Sequence, residues 1–525
     1  MISFILNDPG SFTALKLPGH IEGPRTKHCR QHAWKPTYAA EIYLFFGMLI
    51  YMSIHLEPHF KHYWSTAPTS PVHPIARFMS RNRFQLLYRL FCVWDSMDPP
   101  RGVFNRIHNW STHLQETSTQ YWKPESEVSV DEAMVRYTGK STETVHIPSK
   151  PIPIGYKVWV VADSGYILRW SFHAKGSGIV IDLLSRLPAP PSTSHGYHCF
   201  MDNLFSTPEL FELLRGQGTA ATGTARLGRI DSRKMAQLKA EDRSKDFVAW
   251  VTLYVRKHKT KEVMQFAFKD NALVLAMSTR FTGWEPSIWR LRRQPGKTST
   301  SAKTARVPFE GEPTKMLQIP RLIDEYNHHM NGVDNGDQLR ADFESPRRIQ
   351  RGGHQYQSYF SPLFNNRPDV AVTNSFLLQR EGWPKTSKLR CKDQTAFRLA
   401  LCKELLLQYG KQVALHNSGV PCIPEAMPTQ NAGEIHSKVH RAKRGWCACC
   451  SSKRQNYVLG RAHALRSKRM FTMRRATLRG KPGLAQKSLE ERNKKPSNHA
   501  PTATNCLGTW DCLMVEWVVE RNLCF

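Results

Sequence analysis

The hydrophobic pattern predicts helices on both sides of a central region that favours strands. The longest apolar run, Ile42–Ile54, has no polar stripe, which predicts a helix buried on all sides. Ser80 is placed to cap a second helix, in which apolar residues recur at the helical period: Phe84, Leu87, Tyr88 and Phe91. Residues 368–380 and 395–410 carry the same helical pattern much further along the chain.

Two segments of the central region, Lys157–Ala162 and Tyr166–Phe172, predict the strands of a hairpin. The residues between them, Asp163-Ser164-Gly165, are typical of a tight turn. Asp163 is therefore interpreted as a turn residue and not as a ligand. Periodicity alone defines these elements and leaves their topology open.

An earlier strand carries the first acidic residues of interest. Val128 and Val130 alternate with polar residues, and the strand is predicted to end on Asp131 and Glu132. A carboxylate at a strand end is held rigidly, is open to solvent and is a hard ligand that Mg²⁺ accepts. The alternative is that Asp131 and Glu132 only terminate the strand.

Two further acidic positions have similar settings. The short apolar run Tyr197–Met201 predicts a strand that ends on Asp202, and a helix is expected to start near Pro208 with Ser206 or Thr207 as its cap. Asp334 and Asp337 are three residues apart and share a face if their segment is helical. The alternative for Asp337 is a cap at the start of that helix.

Several of these segments occur together in one known family. The motifs SVDEAM, IPSKPIPIGYKVWVVADSGYIL, MDNLFSTPELFELL with ATGTAR, and YNHHMNGVDNGDQ resemble those of the piggyBac-type DDE transposases, in the same order. The resemblance covers roughly residues 37–380, with Phe268 where the family usually has Trp. It implies that Asp131, Asp202 and Asp334 are catalytic aspartates that bind Mg²⁺ or Mn²⁺, and that Asp337 is an additional acidic residue.

The resemblance also implies the fold class. We expect an α/β catalytic core of ribonuclease H-like type with an insertion, flanked by a mostly α-helical domain built from N- and C-terminal segments. The basic loop 284–306 within the insertion is expected to be mobile until it binds a partner. The predicted domains are a loosely ordered N-terminus (1–36), helical dimerisation and DNA-binding parts (37–126 and 344–415), catalytic core parts (127–228 and 319–343), the insertion (229–318) and a basic, Cys-containing tail (416–525).

The charge of the chain favours a polyanionic partner. Its 74 Lys and Arg outnumber its 43 Asp and Glu, for a net charge of +31 and a pI near 9.8. Basic residues gain affinity for phosphates because condensed counterions are released. Double-stranded DNA is the expected partner, although ribosomal, chromatin and membrane-surface proteins are also basic. We expect no membrane segment, because the longest apolar run is well short of the roughly 20 residues needed to cross a bilayer.

The tail combines the highest charge with a cysteine motif. Residues 438–495 contain 18 Lys and Arg against 2 acidic residues, which predicts a polyanion-binding or nuclear-import segment and hence a nuclear protein. The family ends in a cysteine-rich zinc domain, for which the candidate Zn²⁺ ligands here are Cys447, Cys450, Cys512 and Cys524. A second CxxC is absent and about 55 residues separate Cys450 from Cys506. Either the module is degenerate or part of this segment is not genuine coding sequence.

These features leave three functions open. The leading one is a homodimeric transposase enzyme that cuts and pastes DNA at TTAA sites, acting on the element's terminal repeats and the target. The second is a domesticated, transposase-derived DNA-binding protein without transposition activity. The third is a structure-selective nuclease on the same fold. The retained acids favour the first, the damaged cysteine pattern favours the second, and the third would need the acids but no long flanking domains.

Overall fold

A mixed sheet of nine strands runs through the part of the chain that the computed structural model describes. That part comprises residues 34–90, 101–137, 141–148, 150–172, 178–190, 196–245, 248–296, 302–343, 361–388 and 390–418. The strands of the sheet are β1 (Glu127–Arg136), β2 (Val145–His146), β3 (Ile154–Asp163), β4 (Tyr166–Phe172), β5 (His198–Met201), β6 (Ala220–Thr224), β7 (Leu253–Lys257), β8 (Met264–Lys269) and β9 (Leu273–Ser278).

β1 lies in the middle of this sheet. It pairs antiparallel with β3 and parallel with β5, and β5 pairs parallel with β6. β3 also pairs antiparallel with β4 and with the short β2. The sheet then continues from β6 through β9 and β8 to β7, all antiparallel. The described strands thus form an α/β core around β1.

The predicted end of β1 was wrong. The strand runs five residues past Asp131, because pairing with β3 continues from Asp131 opposite Val160 to Arg136 opposite Gly155. Gly155 permits this close pairing, since a Cβ there would lie 2.2 Å from the carbonyl oxygen of Val135. Only the pairing with β5 stops near Asp131. The acidic residue therefore sits within a strand, at the point where one neighbour leaves the sheet.

The predicted hairpin of β3 and β4 is confirmed. Ser164 and Gly165 have φ values of 50° and 101°, as a tight hairpin turn requires. Asp163 accepts hydrogen bonds from the Trp122 indole (2.9 Å) and from the Glu125 backbone N–H (3.0 Å). This buried carboxylate anchors the turn to the segment before β1, in line with its interpretation as a structural residue.

The predicted insertion contributes strands to the main sheet and also forms a separate ribbon. β7, β8 and β9 extend the sheet, while β10 (Ile288–Arg293) and β11 (Thr314–Ile319) pair as a two-stranded sheet. The expectation of a mobile loop was therefore wrong for β10. Arg290 of β10 forms a bidentate ion pair with Asp324 (2.7 and 2.8 Å). The strand that pairs with β10 is β11, which begins about 20 residues after β10 ends, so local composition could not reveal this pairing.

Helices cover the sheet and form a layer of their own. They are α1 (Ala39–Ile54), α2 (Arg81–Leu90), α3 (Val103–Arg106), α4 (His108–Tyr121), α5 (Ile179–Ser185), α6 (Pro208–Gly216), α7 (Arg233–Lys245), α8 (Ala302–Arg306), α9 (Arg321–His329), α10 (Gly332–Ala341), α11 (Ser361–Gly382) and α12 (Gln394–Asn417). The apolar run predicted to be buried is α1, which is buried along most of its length. None of the described helices combines the length and apolar composition needed to cross a bilayer.

The first and last helices of the described chain pack together. Gly47 lets α1 approach α12, because a Cβ on Gly47 would lie 2.9 Å from the Cβ of Leu405. The rings of Tyr43 and Tyr409 stack with centroids 4.5 Å apart. Helical segments that are separated by the entire core in sequence therefore share one interface.

Candidate active site

Asp131 and Asp202 follow the last paired residues of two parallel strands. Pairing between β1 and β5 ends at Val130 opposite Met201. An aspartate follows on each segment, Asp131 within β1 and Asp202 directly after the end of β5, so the two are neighbours at one point of the sheet. The predicted strand that ends on Asp202 is confirmed.

The chain turns sharply after Asp202. The Asp202 carboxylate accepts a hydrogen bond from the Leu204 N–H (2.8 Å), and its carbonyl oxygen accepts one from the Ser206 hydroxyl (2.8 Å). Thr207, with Pro208 after it, caps α6 by accepting from the Leu210 N–H (3.1 Å). Of the two predicted caps, Thr207 is correct, and Ser206 instead ties the turn to Asp202.

Asp334 is brought to the sheet by two glycines of α10. A Cβ on Gly332 would lie 2.5 Å from the Ser129 hydroxyl on β1, and one on Gly336 would lie 2.5 Å from the Gly165 carbonyl oxygen. The helix therefore rests directly on β1 and on the hairpin turn. Asp334 lies between the two glycines in sequence and is exposed.

Asp337 lies one turn further along the same helix, as predicted. Its carboxylate accepts hydrogen bonds from Nη2 (2.6 Å) and Nε (3.0 Å) of the buried Arg340. The alternative that Asp337 caps the helix was wrong, because α10 already begins at Gly332, with Asn331 as its N-cap residue. The sequence Asn335-Gly336 does not interrupt the helix.

The three aspartates are electrostatically coupled. The pKa of Asp131 is raised to about 6, mainly by burial and in smaller part by the negative charges of Asp202 and Asp334. The Glu132 backbone N–H, which donates to Asp131 at 2.7 Å, and the charge of Lys150 act in the opposite direction. Concentrated negative charge of this kind would be relieved by a bound cation.

Asp131→Asn is expected to raise thermal stability in the absence of divalent cations, increasingly so at higher pH. The folded state raises the Asp131 pKa from 3.8 to about 6, so it binds the proton more tightly than the unfolded state does. The charged carboxylate therefore destabilises the fold little below about pH 4 and by on the order of 2 kcal/mol above about pH 7. Thermal melts of both proteins in EDTA across this range test the prediction. Equal melting temperatures at neutral pH would contradict it.

Two lysines that the sequence interpretation missed lie near the site and are paired with Glu132, the residue next to Asp131. Glu132 points to the opposite face of β1 from Asp131, as successive strand residues do, and its carboxylate forms ion pairs with Lys150 (3.1 Å) and Lys157. Burial alone would raise the pKa of Glu132, but the hydrogen bonds from the two lysines outweigh it and hold that pKa below its usual range. In the sequence, the only indication of these two lysines was their place in IPSKPIPIGYK, part of a motif that resembles the family.

A tyrosine from α9 also reaches the acidic group. The Tyr326 hydroxyl lies 3.3 Å from the Thr224 hydroxyl at the end of β6. Burial raises the pKa of Tyr326, and the charges of Asp202 and Asp131 add to the rise. Tyr326 is therefore a neutral hydroxyl near two carboxylates, and its isolated position in sequence gave no signal of this.

The donor chemistry of the acidic group fits a hard divalent cation. Asp131, Asp202 and Asp334 offer only carboxylate oxygens, which are the ligands that Mg²⁺ and Mn²⁺ prefer. Within residues 34–418, leaving aside the gaps named above, no three His, Cys, Asp or Glu side chains stand close enough together to form a metal centre. The candidate zinc ligands lie outside the described residues: Cys447, Cys450, Cys512 and Cys524.

Arginines in a basic chain are candidates for contacts with DNA phosphates, but some of them have partners within the protein. Arg83 of α2 donates to Glu41 (Nε–Oε1 2.7 Å) and to the carbonyl oxygen of Lys35 (2.8 Å). Arg290 is held by Asp324, as described above. Arg293 is exposed on the ribbon. Arg290 is also exposed, at 44%, but its guanidinium is engaged by Asp324.

The fold and the site define an α/β protein with an acidic cluster where two parallel strands of a mixed sheet diverge. A sequence profile for the family described as Transposase IS4 matches residues 14–376, well over half of the chain. The chain belongs to the piggyBac transposase family.

Relatives agree with this membership. The chain is 24% identical to human PiggyBac transposable element-derived protein 2 over 448 residues, which cover 81% of this chain and 69% of that protein. It is also 24% identical to human PiggyBac transposable element-derived protein 3 over 428 residues, 78% of this chain and 66% of that protein. The chain thus spans about two thirds of the length of each.

A solved structure shares the fold. The cryo-EM structure of a piggyBac transposase synaptic complex with hairpin DNA matches with a TM-score of 0.55 and 19% sequence identity. The match covers 86% of this chain and 88% of that chain. At this identity the likeness establishes a common fold around the mixed sheet.

Proposed function

We propose that the chain is a DNA transposase of piggyBac type, which cuts and rejoins DNA at TTAA sites by a cut-and-paste mechanism. The observation that carries the proposal is that Asp131, Asp202 and Asp334 lie near the divergence of β1 and β5, where the charges of Asp202 and Asp334 act on Asp131. Family membership supports the same activity.

We infer that the core is of ribonuclease H-like type. The order β4-β3-β1-β5-β6 supports this, with three antiparallel strands followed by two parallel ones. One aspartate lies on the central strand, the next follows its parallel neighbour, and the third lies on a helix packed against the central strand. This arrangement holds carboxylates from three distant segments against one short stretch of backbone.

Phosphodiester cleavage is the chemistry that this group supports best. In the proposed cut, a water oxygen bonds to phosphorus, the P–O3′ bond breaks, and the 3′ oxygen leaves with a proton. A bound divalent cation, Mg²⁺ or Mn²⁺, supplies the charge that activates the water and stabilises the leaving oxygen. Asp131, Asp202 and Asp334 would hold it. Strand transfer repeats the displacement with the freed 3′-OH as nucleophile.

Asp337 supports the site through α10. Its ion pair with Arg340 joins a half-exposed carboxylate to a buried guanidinium on the same helix. The pair braces the turn that follows Asp334. We propose that Asp337 acts as an auxiliary residue of this kind and not as a ligand.

Double-stranded DNA is the proposed partner, in a homodimer located in the nucleus. The net charge of +31 supports a polyanionic partner. The solved structure with the same fold is a complex with hairpin DNA, which supports DNA in particular. The basic segment 438–495 supports nuclear import or DNA contact.

Truncation at Ser437 is expected to flatten the dependence of DNA affinity on salt. Residues 438–495 hold 18 basic residues, and each phosphate contact that is lost removes about one unit from the slope of log affinity against log salt. Titrations of the full chain and the truncated chain against the same duplex at several salt concentrations measure the slopes. An identical slope would assign these charges to import or to another partner.

A domesticated DNA-binding protein is the second candidate. Both human relatives are named as derived from transposable elements, and the cysteine pattern of the tail departs from that of the family. A structure-selective nuclease on the same fold is the third. It would use the same three aspartates but would act without reference to TTAA.

Incubation of the purified full chain with supercoiled plasmid separates these candidates. One plasmid carries the native flanking ends of the element bounded by TTAA, and a matched plasmid has TTAA replaced. Metal-dependent excision from the first plasmid alone supports the transposase. Cutting of both plasmids supports the nuclease, and binding without any cleavage in Mg²⁺ or Mn²⁺ supports the domesticated protein.

A further inference from the structure

Lys150 lies on a short turn, and its side chain reaches Glu132, the residue after Asp131 on β1. The turn joins β2 to β3, and it is closed by hydrogen bonds from Ile147 N–H to Pro153 O (2.8 Å) and from Lys150 N–H to Ile147 O (3.1 Å). Prolines 148, 151 and 153 restrict its backbone further. These hydrogen bonds and prolines tie Lys150 to the turn that leads into β3.

Two lysines share the single carboxylate of Glu132, but their settings differ. The Lys157 side chain is 11% exposed and its ammonium lies over the Trp159 ring, 4.1 Å from the centroid. The Lys150 side chain is 36% exposed and contacts Glu132 at 3.1 Å. Lys157 alone can balance the charge of Glu132, which leaves Lys150 as the surplus positive charge.

The surplus charge lies within electrostatic reach of the aspartates, because Glu132, which contacts Lys150, is the residue next to Asp131 on β1. Burial would lower the pKa of Lys150, but the hydrogen bond with Glu132 and the charges of Glu132, Asp131 and Asp334 raise it overall. Lys150 therefore stays protonated within electrostatic reach of the acidic site. Partly exposed ion pairs contribute at most about 1 kcal/mol to stability, so the Lys150 ammonium can leave Glu132 for another anion at a small cost in free energy.

We propose that Lys150 binds a phosphate of the DNA strand that enters the Asp131–Asp202–Asp334 site, and that Glu132 holds its ammonium in place before DNA arrives. This inference rests on the proposed function for the identity of the substrate. Three carboxylates repel a phosphate, so a cation close to them gives the strand a point of attachment. The alternative is that the Lys150–Glu132 ion pair is purely structural and only anchors the turn to β1.

The test is a charge-deletion scan of DNA binding, made in EDTA so that neither metal nor cleavage is needed. The probe is a short hairpin duplex containing TTAA, with one neutral methylphosphonate placed in turn at each phosphate around that sequence. For the wild-type full chain, we expect one position at which neutralisation weakens binding about tenfold, as loss of a charge-assisted hydrogen bond does. Lys150→Gln should show the same loss on unmodified DNA and no further loss at that position.

Two variants serve as controls. Lys150→Arg keeps the charge and should restore the wild-type scan. Lys261→Gln removes a lysine that is also paired with a glutamate, Glu212 at 2.6 Å, but on another part of the chain. It should leave the position-specific loss intact.

The outcomes separate this proposal from the proposed function. If Lys150→Gln lowers the melting temperature but leaves the scan as in the wild type, Lys150 is only structural and the proposal is overturned. A wild-type scan with no sensitive position also overturns it. If the scan behaves as expected but no plasmid is ever cut, phosphate binding by Lys150 stands and the transposase activity fails.

Discussion

Replacement of any one of Asp131, Asp202 and Asp334 by asparagine is expected to reduce Mg²⁺-dependent DNA cleavage to background, while DNA binding is kept. The structure places Asp202, after β5, and Asp334, on α10, within electrostatic reach of Asp131 on β1. In the proposed mechanism, loss of one carboxylate removes one of the three metal ligands. Asparagine keeps the size of the side chain, so the fold should persist.

The measurement is plasmid cleavage across a Mg²⁺ titration, with mobility-shift assays and thermal melts on the same preparations. Asp182→Asn is the matched control, because Asp182 is an exposed aspartate paired with Arg186 on α5, away from the acidic site. It should cut at the wild-type rate. If one of the three variants cleaved at the wild-type rate, the role assigned to that residue would be wrong.

Gly336→Ala is expected to destabilise the fold and to abolish cleavage, although alanine is the better helix former. A Cβ on Gly336 would lie 2.5 Å from the Gly165 carbonyl oxygen and 3.2 Å from the Ile167 side chain. The first of these contacts is to backbone, so α10 must shift, and Asp334 shifts with it. Overpacking of this kind costs roughly 1–3 kcal/mol, which exceeds the gain of about 1 kcal/mol from helix propensity.

Gly216→Ala provides the comparison. Gly216 is also helical, in α6, but a Cβ there would meet no atom within 4 Å. The substitution should leave cleavage unchanged and should keep or slightly raise the melting temperature. A Gly336→Ala variant with the melting temperature and activity of the wild type would show that α10 is not clamped on β1 in the way described.

These two predictions depend on the structure to different degrees. The aspartates could be chosen from the sequence, because strand alternation, the start of a helix after Asp202 and the three-residue spacing of Asp334 and Asp337 are local patterns. Gly336 could not be chosen in this way. Its spacing from Gly332 was visible, but the hairpin turn it contacts is more than a hundred residues earlier in the chain.

The same division applies to the charged residues. Composition alone indicated a polyanionic partner, since a net charge of +31 needs no fold to be counted. Which arginines are held in ion pairs depended on distant partners: Glu41 engages Arg83, and Asp324 engages Arg290. Lys150 acquired its proposed role only when the turn before β3 placed it against Glu132.

The sequence by itself determined strands β1, β3, β4 and β5, the buried helix α1 and the positions of the acidic residues, because local periodicity is visible residue by residue. Only the tertiary structure decided that β1 continues past Asp131, that β10 is a paired strand and that α10 rests on the sheet through two glycines. Each of these depends on hydrogen bonds or close contacts between segments distant in sequence. Such contacts are set by the partner strand or turn, and local sequence does not encode them.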